Sequence, residues 1–121
     1  MTKKILVVDD DRENAQAIGE WLKSVGYQVV TAFDGDEALK KVASESPDLM
    51  ILDIVMPKLN GFDVLSELKY GKSARNIPVI VLTIKGDTTS IFESQGLGVA
   101  DYITKPVDQN ELLQSVQRQI L

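Results

Sequence analysis

Four acids, one hydroxyl and one amine in this 121-residue chain fall where short apolar runs end. Asp9-Asp10-Asp11 follows Ile5–Val8, Asp53 follows Leu49–Leu52, Thr83 follows Val79–Leu82, and Lys105 follows Tyr102–Thr104. Carboxylates gathered at one place repel and raise one another's pKa values. A hard divalent cation removes that conflict, and magnesium suits a set of carboxylates, waters and a substrate phosphate. An Asp held by an apolar strand can also act as a nucleophile and form an acyl phosphate. Lys105 would then supply positive charge to the transferred group, and Thr83 would donate a hydrogen bond to one of its oxygens. Each residue also has a plainer reading. The acidic triplet can be a solvated turn in which Asp11 caps a helix. Asp53 can be an ordinary strand-end acid, Lys105 a surface lysine before Pro106, and Thr83 a β-branched strand residue.

Elimination narrows the chemistry. The chain has no Cys and no His, so thiolate nucleophiles, zinc–thiolate sites, imidazole ligands and Ser-His-Asp triads are impossible. No Gly-rich loop follows the first apolar run, which argues against a directly bound nucleotide cofactor. The formal net charge of -5 argues against direct nucleic-acid binding by this domain. The apolar run near the N-terminus is far too short for a signal-peptide core or a membrane span. A cytoplasmic, reducing location is the simplest expectation.

The elements that would position these residues follow from periodicity. Ile5–Val8, Val29–Ala32, Leu49–Leu52, Val79–Leu82 and Tyr102–Thr104 read as buried strands. Between them lie helical stripes: Ala15, Ile18, Leu22 and Val25; Ala38, Leu39, Val42 and Ala43; Phe62, Leu65 and Leu68; and Leu112, Leu113, Val116 and Ile120. Asp108 with Glu111 three residues on is an N-cap signature for the last of these. Gly26, Gly35, Gly61 and Pro47 mark boundaries. A further helix over Thr88–Gln95 is weak in helix formers and suits a displaceable element. The whole chain, residues 1–121, reads as one α/β domain with a parallel sheet covered by helices on both faces. In such folds ligands bind beyond the carboxyl ends of the strands.

Taken together, Ile5-Leu6-Val7-Val8-Asp9-Asp10-Asp11, Leu52-Asp53-Ile54-Val55-Met56-Pro57 with Asn60-Gly61, Val81-Leu82-Thr83 and Asp101-Tyr102-Ile103-Thr104-Lys105-Pro106 resemble the receiver (response-regulator) domain of two-component signalling. The resemblance covers the whole chain. It implies a doubly wound five-stranded parallel sheet of order 2-1-3-4-5 with five helices on both faces. It implies Asp53 as the phosphorylation site, with Mg2+ or Mn2+ held by Asp9, Asp10, Asp53 and the carbonyl of Val55. Thr83 and Lys105 would contact phosphoryl oxygens, Thr83 and Tyr102 would form the switch pair, and the Lys105–Pro106 peptide would be cis. The implied partners are a histidine kinase or histidine phosphotransfer protein and a downstream effector or attached output domain. Neither nucleic acid nor membrane is contacted directly, and a phosphorylation-dependent homodimer is among the outcomes. Such a domain catalyses its own phosphotransfer and dephosphorylation and is a signalling switch rather than a metabolic enzyme.

Two positions, Ile84 and Ala100, depart from the family pattern. Ile84 stands where a small residue is usual and would crowd the phosphoryl group or restrict Thr83. Val55 and Lys85 occupy variable positions, and apolar Val55 cannot orient an attacking water, so slow autodephosphorylation is expected. Ala100 stands where Asp is common, with an effect expected only on its loop. Two alternatives stand beside this reading. A haloacid-dehalogenase-like phosphatase would use Asp9 as nucleophile, and a receiver-like interaction module would work without phosphorylation. Trp21, beside the Ile18–Leu22 stripe, is expected to be a packing residue.

Overall fold

The computed structural model describes residues 2–54, 61–71, 76–84, 97 and 99–120. Its strands are β1 (Lys4–Val8), β2 (Gln28–Ala32), β3 (Leu49–Asp53), β4 (Val79–Ile84) and β5 (Val99–Lys105). Four helices lie among the described residues: α1 (Arg12–Ser24), α2 (Gly35–Glu45), α3 (Gly61–Tyr70) and α4 (Gln109–Ile120). The helix expected over Thr88–Gln95 falls outside the described residues, as do Val55, Lys85 and Asn60. The sheet order is β2-β1-β3-β4-β5, and every neighbouring pair is parallel. This is the doubly wound arrangement that strand–helix alternation demands. No described helix is long and apolar enough to cross a membrane.

Alternation along the central strands splits the core into two layers. Leu6, Val8, Met50, Leu52, Val79 and Val81 meet Ala38 and Val42 of α2 and Val64, Leu65 and Leu68 of α3. Ile5, Val7, Leu49, Ile51, Ile80, Leu82 and Ile103 meet Ala15 and Leu22 of α1 and Leu112, Val116 and Ile120 of α4. Trp21 packs at the edge of that second layer, as expected.

The helix ends show why the chain turns where it does. Asp11 accepts from the Asn14 backbone N–H at 3.2 Å, Asp34 from that of Glu37 at 2.8 Å, and Asp108 from that of Glu111 at 2.9 Å. Each carboxylate satisfies a backbone donor that the first turn leaves without a partner. α1 stops at a paired-hydrogen-bond cap: the Gly26 N–H donates to Lys23 O and the Tyr27 N–H to Leu22 O. This cap needs the positive φ of 106° that Gly26 adopts. It also turns Val25 out of the stripe. Val25 is 42% exposed instead of facing the core, because the helix has already ended. Ala43 likewise lies on the solvent side of α2. Ser46 ends α2 in the left-handed region with φ 47°, where a glycine would be easier.

Two features of the sheet bear on function. β2 is an edge strand, and the Lys41 ammonium donates to its Thr31 carbonyl at 3.0 Å. β5 carries a bulge: its register on β4 jumps from Val79↔Val99 to Ile80↔Asp101, leaving Ala100 as the extra residue. Val99 and Tyr102 therefore share the α2/α3 face although three positions apart, while Ile103 joins the α1/α4 face.

Candidate functional site

The chemistry-bearing side chains project from the carboxyl ends of the central strands. Asp9 continues the row of Ile5 and Val7, Asp53 the row of Leu49 and Ile51, and Lys105 the row of Ile103. All three thus rise from the face packed by α1 and α4. The Asp9 N–H still donates to Ala32 O at 3.1 Å, so the ladder holds its backbone one residue past β1. The result is a compact polar end to an apolar layer.

The geometry is tight. Lys105 Nζ lies 2.9 Å from Asp53 Oδ2 and 4.0 Å from Asp9 Oδ2. Asp9, Asp10 and Asp53 each offer a carboxylate oxygen within 4.8 Å of the others. Asp9 is 1% exposed and Asp53 6%, whereas Asp10 faces solvent. Burial pushes the Asp9 carboxyl up to about 6, and the negative charge of Asp53 adds to the rise. The Asp11 N–H, Lys105 and the Asn14 amide oppose it. For Lys105, burial works against the ammonium, but the hydrogen bond and charge of Asp53, with the charges of Asp9 and Asp10, outweigh it and raise its pKa.

A hard cation fits this donor set. Among the described residues the donors are all oxygen, two of the three carboxylates are almost fully buried, and the Lys105 ammonium faces several negative charges. Burial is the main cause of the raised Asp9 pKa, and the part that Asp53 adds is the repulsion a cation would relieve.

The other sequence-predicted residues sit nearby. Thr83, 2% exposed, lies one position beyond Leu82, the register partner of Asp53. It continues the row of Val79 and Val81, and Val81 is the register partner of Tyr102. Thr83 and Tyr102 therefore share the α2/α3 face on adjacent strands. The Lys105–Pro106 peptide is cis. Ile84 is 56% exposed and pairs in register with Lys105, so its bulk flanks the lysine at the rim. The Val55 carbonyl falls outside the described residues.

Two groups of residues escaped the sequence reading. Asn14 donates from Nδ2 to Asp9 Oδ2 at 3.3 Å, while the Asp11 N–H donates to Oδ1 at 3.0 Å, so both Asp9 oxygens are held. The available signal was spacing: Asn14 lies one helical turn past Asp10, on the first turn of α1. The second group is Asp101 with Ser115 and Arg118 of α4. Asp101 Oδ2 accepts from Ser115 Oγ at 2.5 Å and Arg118 Nη2 at 2.8 Å, and Oδ1 accepts from the Tyr102 N–H at 2.8 Å. Burial alone would raise the Asp101 pKa, but the Ser115, Tyr102 and Arg118 bonds together lower it.

Comparison with known proteins agrees with this fold. The model of the response regulator receiver domain matches residues 5–117. The alkaline phosphatase synthesis transcriptional regulatory protein PhoP of Bacillus subtilis is 42% identical over 112 residues, covering 93% of this chain and 46% of that protein. The transcriptional regulatory protein CpxR of Klebsiella pneumoniae is 40% identical over 114 residues, covering 94% of this chain and 47% of its own length. The chain spans about half the length of the curated relatives it matches. Among solved structures, a response regulator signal receiver domain from Bermanella marisrubri superposes with a TM-score of 0.91 at 36% identity, covering all of both chains. The chemotaxis protein CheY4 of Vibrio cholerae gives 0.90 at 30% identity, covering 99% of this chain and 100% of its own. A strand order fixed by the sheet and a sequence likeness that runs nearly end to end converge on one assignment: the chain belongs to the response regulator receiver domains, the phosphorelay receivers of two-component signalling.

Proposed function

We propose that Asp53 is the phosphoryl acceptor and that Asp9, Asp10, Asp53 and the Val55 carbonyl hold a magnesium or manganese ion beside it. The observation that carries this reading is the buried Asp53 carboxylate with Lys105 Nζ at 2.9 Å and the Asp9 and Asp10 carboxylates converging on it. The donor is a phosphohistidine of a histidine kinase or phosphotransfer protein, and none of these 121 residues is a His that could serve as it.

A carboxylate oxygen of Asp53 forms the new bond to phosphorus. The bond from phosphorus to the imidazole nitrogen breaks, and its electron pair stays on that nitrogen. A ring protonated at its other nitrogen departs as neutral imidazole. A cation held by these carboxylates would supply positive charge to the phosphoryl oxygens. Lys105, now paired with Asp53, follows the negative charge onto the phosphoryl group. Thr83 turns its hydroxyl toward that group, and Tyr102 moves on the same face. Asp9, fixed by Asn14 and the Asp11 N–H, keeps its carboxylate aimed at the cation.

On this reading residues 1–121 form one receiver domain acting in the cytoplasm. Its switched surface is read by a downstream effector or an attached output domain, and pairing of two phosphorylated copies is one form of that output. Membership of the receiver family removes the ground for a dehalogenase-like phosphatase using Asp9. The test is incubation with acetyl phosphate and Mg2+, followed by mass spectrometry. A one-phosphoryl gain that maps to Asp53 and vanishes in Asp53→Asn is expected. Modification at Asp9, or none with the site loaded with cation, refutes the proposal.

A further inference from the structure

We infer that Asp101, Ser115 and Arg118 form a clamp that sets the register of β5 and so positions Lys105 against Asp53. The inference rests on the proposed role of Lys105 and adds residues remote from the reacting atoms.

The bulge at Ala100 decides which face each later residue of β5 occupies. With the extra residue left out of the ladder, Asp101, Ile103 and Lys105 lie on the α1/α4 face, and Tyr102 lies on the other. If Ala100 entered the ladder opposite Ile80, every later residue would slip by one position. Thr83 would then face Ile103, Tyr102 would enter the α1/α4 layer, and Lys105 would fall beyond the end of β4. A one-residue slip exchanges faces for the whole strand, so something must penalise it.

The Asp101 carboxylate supplies that penalty. Ser115 is fully buried on α4, and its hydroxyl meets Asp101 Oδ2 at 2.5 Å. Arg118, one turn further along α4, meets the same oxygen at 2.8 Å. The other oxygen takes the Tyr102 N–H at 2.8 Å, on the residue directly after the bulge pair. One side chain thus ties the bulge to the rigid last helix and to the backbone that leads to Lys105. After a slip, Asp101 would leave α4, and the Ser115 hydroxyl would be buried without its partner. The carboxylate is four residues from Lys105 and touches neither it nor the acid cluster in any described bond. Its role is therefore positioning, exerted through strand register.

The test uses the full chain with Mg2+ and acetyl phosphate. Asp101→Ala, Ser115→Ala and Arg118→Ala are made alone and combined with Lys105→Ala, with Ser115→Thr as the conservative rescue. Two readouts are followed: the rate of acyl phosphate formation at Asp53, and the backbone cross-strand NOEs Thr83–Thr104 and Ile84–Lys105. Asp101→Ala is expected to slow phosphorylation about tenfold, since small misplacement of a charged group is costly. Ser115→Ala should do less, exposed Arg118→Ala least, and Ser115→Thr little. In the Lys105→Ala background each change should alter the rate by less than about twofold, and the two NOEs should weaken in the same order as the single-variant rates. Equal losses in both backgrounds, or intact NOEs in Asp101→Ala and Ser115→Ala, overturn the clamp. If Asp101→Ala does not fold, the Ser115 and Arg118 variants decide by the same criteria. If the wild type takes no phosphoryl group at Asp53, the acceptor proposal fails by itself, and the NOEs alone decide the clamp.

Discussion

Replacing Asp9 by Asn should make the cation-free protein more stable at neutral pH, although it damages the site. Asp9 is 1% exposed, and its pKa is raised from 3.8 to about 6, with burial the largest cause. A folded state that binds a proton more tightly than the unfolded chain is most favoured below the unfolded value. Its advantage is lost as pH rises through the folded value. For Asp9 the loss runs from about pH 4 to about pH 6 and is complete above that. At about 1.4 kcal/mol per pKa unit the interval corresponds to about 3 kcal/mol, and screening through exposed Asp10 and the rim lowers this to about 2 kcal/mol. The substituted amide would keep the bond from the Asp11 N–H through its carbonyl oxygen, and Asn14 could turn its own amide to accept from the new NH2 group. The net gain in Asp9→Asn should therefore be about 1–2 kcal/mol at pH 7.5, several degrees in Tm for a domain of this size. Urea or thermal unfolding followed by Trp21 fluorescence, from pH 4 to 8 in EDTA, measures it. The advantage should vanish near pH 4. Added Mg2+ should stabilise the wild type and leave the variant almost unmoved, so the order narrows or reverses. An Asp9→Asn protein that is less stable at every pH, or equally favoured at pH 4 and pH 8, refutes the electrostatic argument.

Three further outcomes are expected. Lys105→Ala should destabilise the cation-free chain by about 1–2 kcal/mol, because Asp53 and Asp9 lose their facing cation at a mostly buried rim. Equilibrium unfolding measures this, and Mg2+ should restore part of the loss. Ser46→Gly should add about 0.5–1 kcal/mol, since Ser46 holds φ 47° at the end of α2, and an unchanged urea midpoint would count against it. Ile51→Ala, in the fully buried central strand, should cost about 3–4 kcal/mol in the same assay without changing which residue is phosphorylated.

The sequence made much of this molecule legible, and the misses have physical causes. Apolar runs located all five strands because a parallel sheet covered on both faces needs continuous hydrophobic stretches. Strand order came only through resemblance, since periodicity says nothing about neighbours. The rim residues were legible because each follows such a run. Val25 was misplaced because a stripe count does not register where a Gly26 cap ends a helix. Ala100 was read as part of a loop, yet it lies within β5 as the extra residue of the bulge. Neither the bulge nor the Asp101–Ser115 bond has a local sequence pattern, because both depend on a strand and a helix meeting in space.

The Lys41 contact has a consequence beyond the fold of one molecule. A bordering strand presents open backbone groups that any extended polypeptide can latch onto, which is how soluble proteins begin to form fibrils. By occupying the Thr31 carbonyl, Lys41 denies an incoming chain one of the acceptors it would need. Acylating that amine, or exchanging it for methionine, would unlock the margin of the sheet. The cost would appear as lower solubility on storage, while the proposed phosphoryl chemistry at the far ends of β1, β3 and β5 would stay intact.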